Sequence, residues 1–166
     1  MSPQIVLNFL LAAAVLCWIL YRQLQPKPIR ERRPYSLMLI LGVLGLVQIV
    51  QLAGKADISA AGYTALLIGL LTGAAFGWLR GRLVHLWRAE DGTLMRQGNW
   101  VTVLLWIVGI AIHLGIDWLG VRMSPPSQAA AAETLGTTGI LLYLAVALAA
   151  QRFSTLSRIP AASRPR

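Results

Sequence analysis

Four polar side chains within long apolar runs are the residues of this chain best suited to chemistry. His113 and Asp117 stand four positions apart, and Gln48 and Gln51 stand three apart in an earlier run. Each pair would share one face of a helix. In lipid, each of these groups needs a hydrogen-bond partner or water, and an ionisable pair is a candidate functional site. We expect the four to converge on one partly hydrated polar recess.

The same half of the membrane would hold further polar groups, namely Asn8, Thr137 and Thr138, while the other half would hold almost none. Three uses of the polar recess stay open. Its side chains could form hydrogen bonds that hold the helices together, line a pocket for a ligand or partner, or take part in proton or metal chemistry.

The histidines and the cysteine limit the choice of cofactor, and we predict none. Haem usually takes axial ligands from facing helices. Only His113 would lie at a suitable depth, because His85 would be on the cytoplasmic side, so a bis-histidine haem would require two copies of the chain. Zinc would have too few ligands. Cys17 is the only cysteine, which excludes an intrachain disulfide. No catalytic motif such as HExxH, GxSxG or a P-loop occurs, so we predict a protein that is not an enzyme.

The composition is that of a membrane protein, with 57% apolar and 13% charged residues, against about 25% charged in soluble domains. A membrane-spanning helix needs roughly 17–25 residues. Five apolar runs qualify, at residues 5–21, 36–53, 61–79, 100–119 and 135–151. The sequence therefore predicts an all-α integral membrane bundle of five transmembrane helices. No basic residue precedes the first run and Arg22 follows it, an order typical of a retained anchor rather than a cleaved signal.

The basic residues predict the orientation. Two of the fifteen Lys and Arg residues, Lys55 and Arg122, fall on one side of the predicted bundle. The other thirteen fall on the opposite side: Arg22, Lys27, Arg30, Arg32, Arg33, Arg80, Arg82, Arg88, Arg96, Arg152, Arg158, Arg164 and Arg166. Basic loops stay in the cytoplasm, next to anionic headgroups. We expect a bacterial inner-membrane protein with its N-terminus outside and its C-terminus in the cytoplasm. The net charge of +9 thus indicates membrane topology, and we do not expect it to serve nucleic-acid binding.

The domain prediction is a transmembrane domain over residues 1–153 and a basic, disordered tail over residues 154–166. The loop 23–34 contains three prolines and reads as an extended strap near lipid headgroups. Residues 82–90 read as a helix continuing from the third span into the interface. Asp91 and Gly92 would form the turn that ends it, and Asn99 would cap the fourth span.

Three glycines spaced by four residues, Gly73, Gly77 and Gly81, indicate a close-packing stripe on the third span. The partner is either another helix of this chain or a second copy in a homodimer. Gly42 and Gly45 could play a lesser version of the same part.

Residues 73–117 resemble the CcdC-like family of small bacterial membrane proteins, and the basic first loop, residues 22–34, resembles that of actinobacterial members. The resemblance lies in a GxxxGxxRG run, a WRxxDG turn, an RQG approach to the next span and a late histidine. The matching residues are Gly73, Gly77, Arg80, Gly81, Trp87, Arg88, Asp91, Gly92, Arg96, Gln97, Gly98 and His113. The resemblance implies a membrane fold and a possible link to cytochrome maturation, but no specific activity.

The most favoured function is that of a small non-catalytic membrane protein that binds another membrane component. One alternative is a redox or cytochrome-maturation accessory that contacts haem or quinone. A further alternative is a small proton or solute pathway, although the sequence has no inverted repeat or broken helix pair.

Overall fold

The computed structural model describes Tyr21, residues 24–29 and residues 36–159. Except for Tyr21, the predicted span 5–21 lies outside the described residues, together with Asn8 and Cys17. The end of the predicted tail, residues 160–166, also lies outside them.

The described part contains four α-helices: α1, Ser36–Ala53; α2, Ala60–Leu83; α3, Trp100–Met123; and α4, Ala129–Leu156. Helix α1 has the predicted bounds, and the other three are longer than the apolar runs that identified them. Three of these helices, α2 to α4, are long and apolar enough to cross a membrane, and Met38–Ala53 is a shorter apolar helix. The chain is therefore mostly helical, with the composition of a membrane-spanning protein.

Polar side chains cap two of these helices. The Ser59 hydroxyl accepts a hydrogen bond from the Gly62 N–H at the start of α2. Asn99 caps α3 as predicted, because its side chain accepts from the Thr102 N–H at 2.9 Å. The Thr102 hydroxyl and the Asn99 N–H complete a capping box. These caps satisfy backbone donors that a helix start leaves without partners.

Helices α2 and α4 run parallel and form the centre of the bundle. The predicted glycine stripe lies on the face of α2 that packs against α4. Gly73 lies against Tyr143, and the backbones at Gly77 and Ala147 are in contact distance. Helix α3 packs antiparallel to α2 on one side, and α1 packs antiparallel to α4 on the other.

A three-stranded antiparallel sheet joins α2 to α3. Its strands are β1, Lys27–Pro28; β2, His85–Arg88; and β3, Leu94–Gln97, in the order β1-β3-β2. We call this end of the bundle the hairpin end, and the end with the links 54–59 and 124–128 the distal end. Residues 27–28 of the predicted strap thus form an edge strand of this sheet.

The prediction that residues 82–90 form a helix was wrong. Helix α2 ends at Leu83, and Val84 is already extended. Four residues are too few to distinguish a helical period from a strand by their apolar spacing. Pairing with β3 provides the backbone hydrogen bonds that helix continuation would have provided. The predicted turn is confirmed: Gly92 has a φ of 81° and its N–H donates to the Ala89 carbonyl.

The predicted domain boundary at residues 153 and 154 was also wrong, because α4 continues to Leu156. Ser154 and Thr155 are buried. Beyond the helix, the Arg158 guanidinium donates to the carbonyls of Gly81 and Val84, at 3.1 and 2.8 Å. These contacts satisfy carbonyl groups at the end of α2 that have no partner within the helix.

Candidate functional site

His113 and Asp117 lie on the face of α3 that meets the other helices. The His113 side chain is buried, and its Nε2 lies 3.4 Å from the Asp117 Oδ2. The ring fits because Gly69 of α2 has no side chain: a Cβ there would lie 3.0 Å from the His113 Nδ1. Among the described residues, neither ring nitrogen has a hydrogen bond. An imidazole and a carboxylate thus face each other in the bundle interior.

Tyr143 of α4 completes this group, which we call the His113 cluster (His113, Asp117 and Tyr143). Its ring stacks on the imidazole with a centroid distance of 4.3 Å and an angle of 11°. The Tyr143 hydroxyl lies against Gly109 of α3, where an added Cβ would approach it to 2.9 Å. Sequence reasoning missed Tyr143, although it stands four residues from both Gly139 and Ala147 in a row of small residues.

Gln48 and Gln51 do not belong to this cluster, and the prediction of one recess shared by all four residues was wrong. Both glutamines lie on the exposed face of α1. Helix α1 packs on α4 through its opposite face, with Gly45 against Leu142 and with Ile49 buried. The short link to α2 restrained only the end of α1, so packing on α4 decided which face is buried.

A cleft of about 440 Å³ opens beside the His113 cluster, between α3 and α4 at the distal end. Its walls combine apolar side chains with two carboxylates and a hydroxyl: Leu114, Asp117, Trp118, Val121, Glu133, Gly136, Thr137 and Ile140. Asp117 therefore faces both His113 and the cleft. Carboxylates accept hydrogen bonds or pair with a cation, and the apolar walls suit a hydrocarbon body. Sequence reasoning missed Glu133, which stands just before the predicted fifth span.

The hairpin end of the interior is also polar, contrary to the expectation that one half would hold almost no polar groups. Arg80, predicted as a loop cation, is fully buried in the last turns of α2. Its Nε donates to the Phe76 carbonyl, and its guanidinium carbon lies 3.8 Å from the centre of the Trp106 ring. This cation–π contact offsets part of the cost of burial. Gln151 is buried at the same end.

The geometry bears on the cofactors considered above. A haem iron would need an open imidazole nitrogen, but one nitrogen of His113 faces Gly69 and the other faces Asp117. His85 lies in β2, at the hairpin end, stacked on Trp87 with a centroid distance of 5.3 Å. Within residues 24–29 and 36–159, no three His, Cys, Asp or Glu side chains are grouped so as to hold a metal ion.

Comparisons of this chain with protein-family models, with curated proteins and with solved structures found no match. The resemblance to the CcdC-like family stays a prediction.

Proposed function

We propose that this protein is a small non-catalytic membrane component that binds another membrane molecule in the cleft between α3 and α4. The observation that supports this proposal is that two carboxylates, those of Asp117 and Glu133, line a cleft with mostly apolar walls. A partner that fits would present an apolar body and a cationic or hydrogen-bond-donating group. The Asp117 side chain is only 16% exposed. A carboxylate with so little access to water is stabilised by a partner that pairs with it, which favours binding over an empty cleft.

The orientation is part of this proposal. We infer five transmembrane helices, with span 5–21 as the first, in a bacterial inner membrane. Seven of the nine Lys and Arg side chains of the described residues belong to the hairpin end: Lys27, Arg80, Arg82, Arg88, Arg96, Arg152 and Arg158. Lys55 and Arg122 belong to the distal end. By the positive-inside rule the hairpin end is cytoplasmic, so the cleft opens in the outer half of the membrane.

The second candidate function is a proton pathway. It is favoured by a row of titratable side chains in the interior of the bundle. Asp117, His113 and Tyr143 are in contact, and Arg80 lies further toward the hairpin end. The haem alternative has less support, because both nitrogens of His113 are covered. The partner-binding proposal is compatible with a quinone as the molecule in the cleft. It is also compatible with the link to cytochrome maturation that the CcdC-like resemblance implies.

Photo-crosslinking tests the proposal. A photoreactive residue in place of Thr137, which lines the cleft, should give a discrete adduct in native membranes. The same residue in place of Leu71, which is exposed on α2, should react with bulk lipid only. Glu133→Gln should reduce the Thr137 adduct about tenfold, since a hydrogen bond to a charged group contributes about 1.5–3 kcal/mol.

Asp57→Asn is the matched control, because it removes a distal-end carboxylate that does not line the cleft. It should leave the adduct unchanged. If instead Glu133→Gln and Asp117→Asn change only the melting temperature and leave the adduct as it is, the carboxylates serve helix packing and the binding proposal fails.

A further inference from the structure

Three cationic side chains from distant parts of the chain line one cavity at the hairpin end. Lys27 of β1 lies directly opposite Arg96 of β3 in the strand register. Arg152 of α4 joins them around a cavity of about 300 Å³. The remaining lining residues are Pro28, Ile29, Thr155 and Leu156. The fold therefore brings together three positive charges that stand far apart in the sequence.

The three positive charges repel one another, and an anion in the cavity would reduce this repulsion. Like charges directly opposite each other on paired antiparallel strands destabilise the pair. Arg96 is partly buried, and burial together with the charge of Arg152 lowers its pKa. No acidic side chain of the described residues lines the cavity. Like charges in partly desolvated surroundings are stable only with a compensating anion or polar contacts.

We propose that this cavity is a binding site for a phosphate group, carried by an anionic lipid headgroup or by a soluble phosphate compound. Arginine binds phosphate oxygens with two parallel N–H donors, and lysine adds a point charge. The cavity lies where α4 ends and the polar sheet begins. If the bundle spans a membrane as proposed, lipid headgroups would lie at this end of the helices. This site is separate from the cleft at the distal end and does not depend on the function proposed for that cleft.

The proposal does not require unpaired cations. Neither Lys27 nor Arg152 is without a partner. It rests on the convergence of three positive charges on one cavity, so a phosphate would add to the contacts that these side chains make. Arg96 belongs to β3, the central strand of the sheet, and its side chain lines the cavity. We therefore expect the strength of phosphate binding to depend most on Arg96.

Native mass spectrometry of the full chain in an uncharged detergent tests the site. Phosphatidylglycerol should be retained in preference to phosphatidylcholine with the same acyl chains. Arg96→Gln should weaken this retention about tenfold, as expected for a lost charge-assisted hydrogen bond. Arg88→Gln is the matched control: it removes the same charge from the same sheet, at an exposed position outside the cavity. It should leave retention unchanged.

A competition arm distinguishes the two sources of phosphate. Inorganic phosphate is added to each protein with bound phosphatidylglycerol. If it displaces the lipid from the wild type, but does not displace the lipid that still binds to the Arg96→Gln variant, the site takes free phosphate groups. If only the lipid binds, the site is specific for a headgroup. Should Arg96→Gln fail to fold, Lys27→Gln replaces it with the same expectation. Equal retention of both lipids, or equal weakening by Arg96→Gln and Arg88→Gln, would overturn the proposal.

Discussion

Glycines decide, residue by residue, which side chains the interior can hold. Gly69 makes room for the His113 ring, and Gly73 makes room for the Tyr143 ring. At Gly77 the space is taken by the backbone of Ala147 rather than by a side chain. A side chain can rotate away from an added methyl group, but helix backbone can only move as a unit. The three positions should therefore differ in how well they tolerate substitution.

Gly77→Ala should be more destabilising than Gly69→Ala or Gly73→Ala. The new Cβ would overlap the Ala147 backbone, and α2 and α4 would have to separate. We expect a loss of about 1–3 kcal/mol, the usual cost of overpacking. The measurement is the melting temperature or the denaturation midpoint of the purified protein in mild detergent.

Gly115→Ala is the control for this substitution. Gly115 also lies within a helix, but a Cβ there meets no atom within 4 Å. Because alanine has the higher helix propensity, this variant should be neutral or slightly stabilised. Equal behaviour of the two variants would show that Gly77 is not at a close contact.

At the scale of elements, the hairpin β2–β3 is the feature that differs most from the secondary structure predicted from the sequence. Asp91 stabilises its turn by accepting hydrogen bonds from the Thr93 N–H at 2.9 Å and from the Thr93 hydroxyl at 2.8 Å. These bonds favour the ionised carboxylate, and they lower the pKa of Asp91. The turn and the pairing with β1 together hold Arg96 beside Lys27.

Backbone chemical shifts test this hairpin against the helix that apolar spacing suggested. In isotope-labelled protein reconstituted in bilayers, residues 85–88 and 94–97 should show extended-strand shifts. Trp87 and Met95 are register partners, so they should give a cross-strand contact. Residues 70–80 of α2 serve as the internal helical reference. Helical shifts across residues 85–88, or no contact between Trp87 and Met95, would refute the hairpin.

At the scale of the whole molecule, charge is distributed unequally between the two ends of one helix bundle. The hairpin end carries the sheet and most of the cations, and the distal end carries the cleft with Asp117 and Glu133. In a membrane this asymmetry selects one orientation, because moving a basic segment across the bilayer is costly.

Cysteine labelling in intact cells tests the orientation, in a Cys17→Ser background that removes the only native cysteine. Glu90→Cys, exposed in the hairpin turn, should react with an impermeant maleimide only after the inner membrane is permeabilised. Lys55→Cys, exposed at the distal end, should react without permeabilisation of the inner membrane. Ready labelling of Glu90→Cys from outside would reverse the topology and place the phosphate site on the outer surface.

Local chemistry was sufficient to predict much of the fold from sequence alone. The bounds of α1, the Asn99 cap and the turn at Asp91 and Gly92 each depend on a few neighbouring residues. The one-sided charge distribution and the apolar runs are likewise properties of composition along the chain. The spacing of His113 and Asp117 placed both on one helical face, and the structure brings them within 3.4 Å.

Only the tertiary structure decided which faces meet. Periodicity shows that Gln48 and Gln51 share a face, but not that α1 packs on α4 with this face exposed. It likewise does not show that Tyr143 stacks on His113, or that Lys27, Arg96 and Arg152 surround one cavity. In lipid, apolar surface gives no preference for one helix neighbour over another, so close backbone approach and buried polar contacts select the partners. Those interactions join residues that are far apart in sequence. The glycine stripe marks a packing face of α2, but nothing in its local pattern identifies α4 as the helix that packs there.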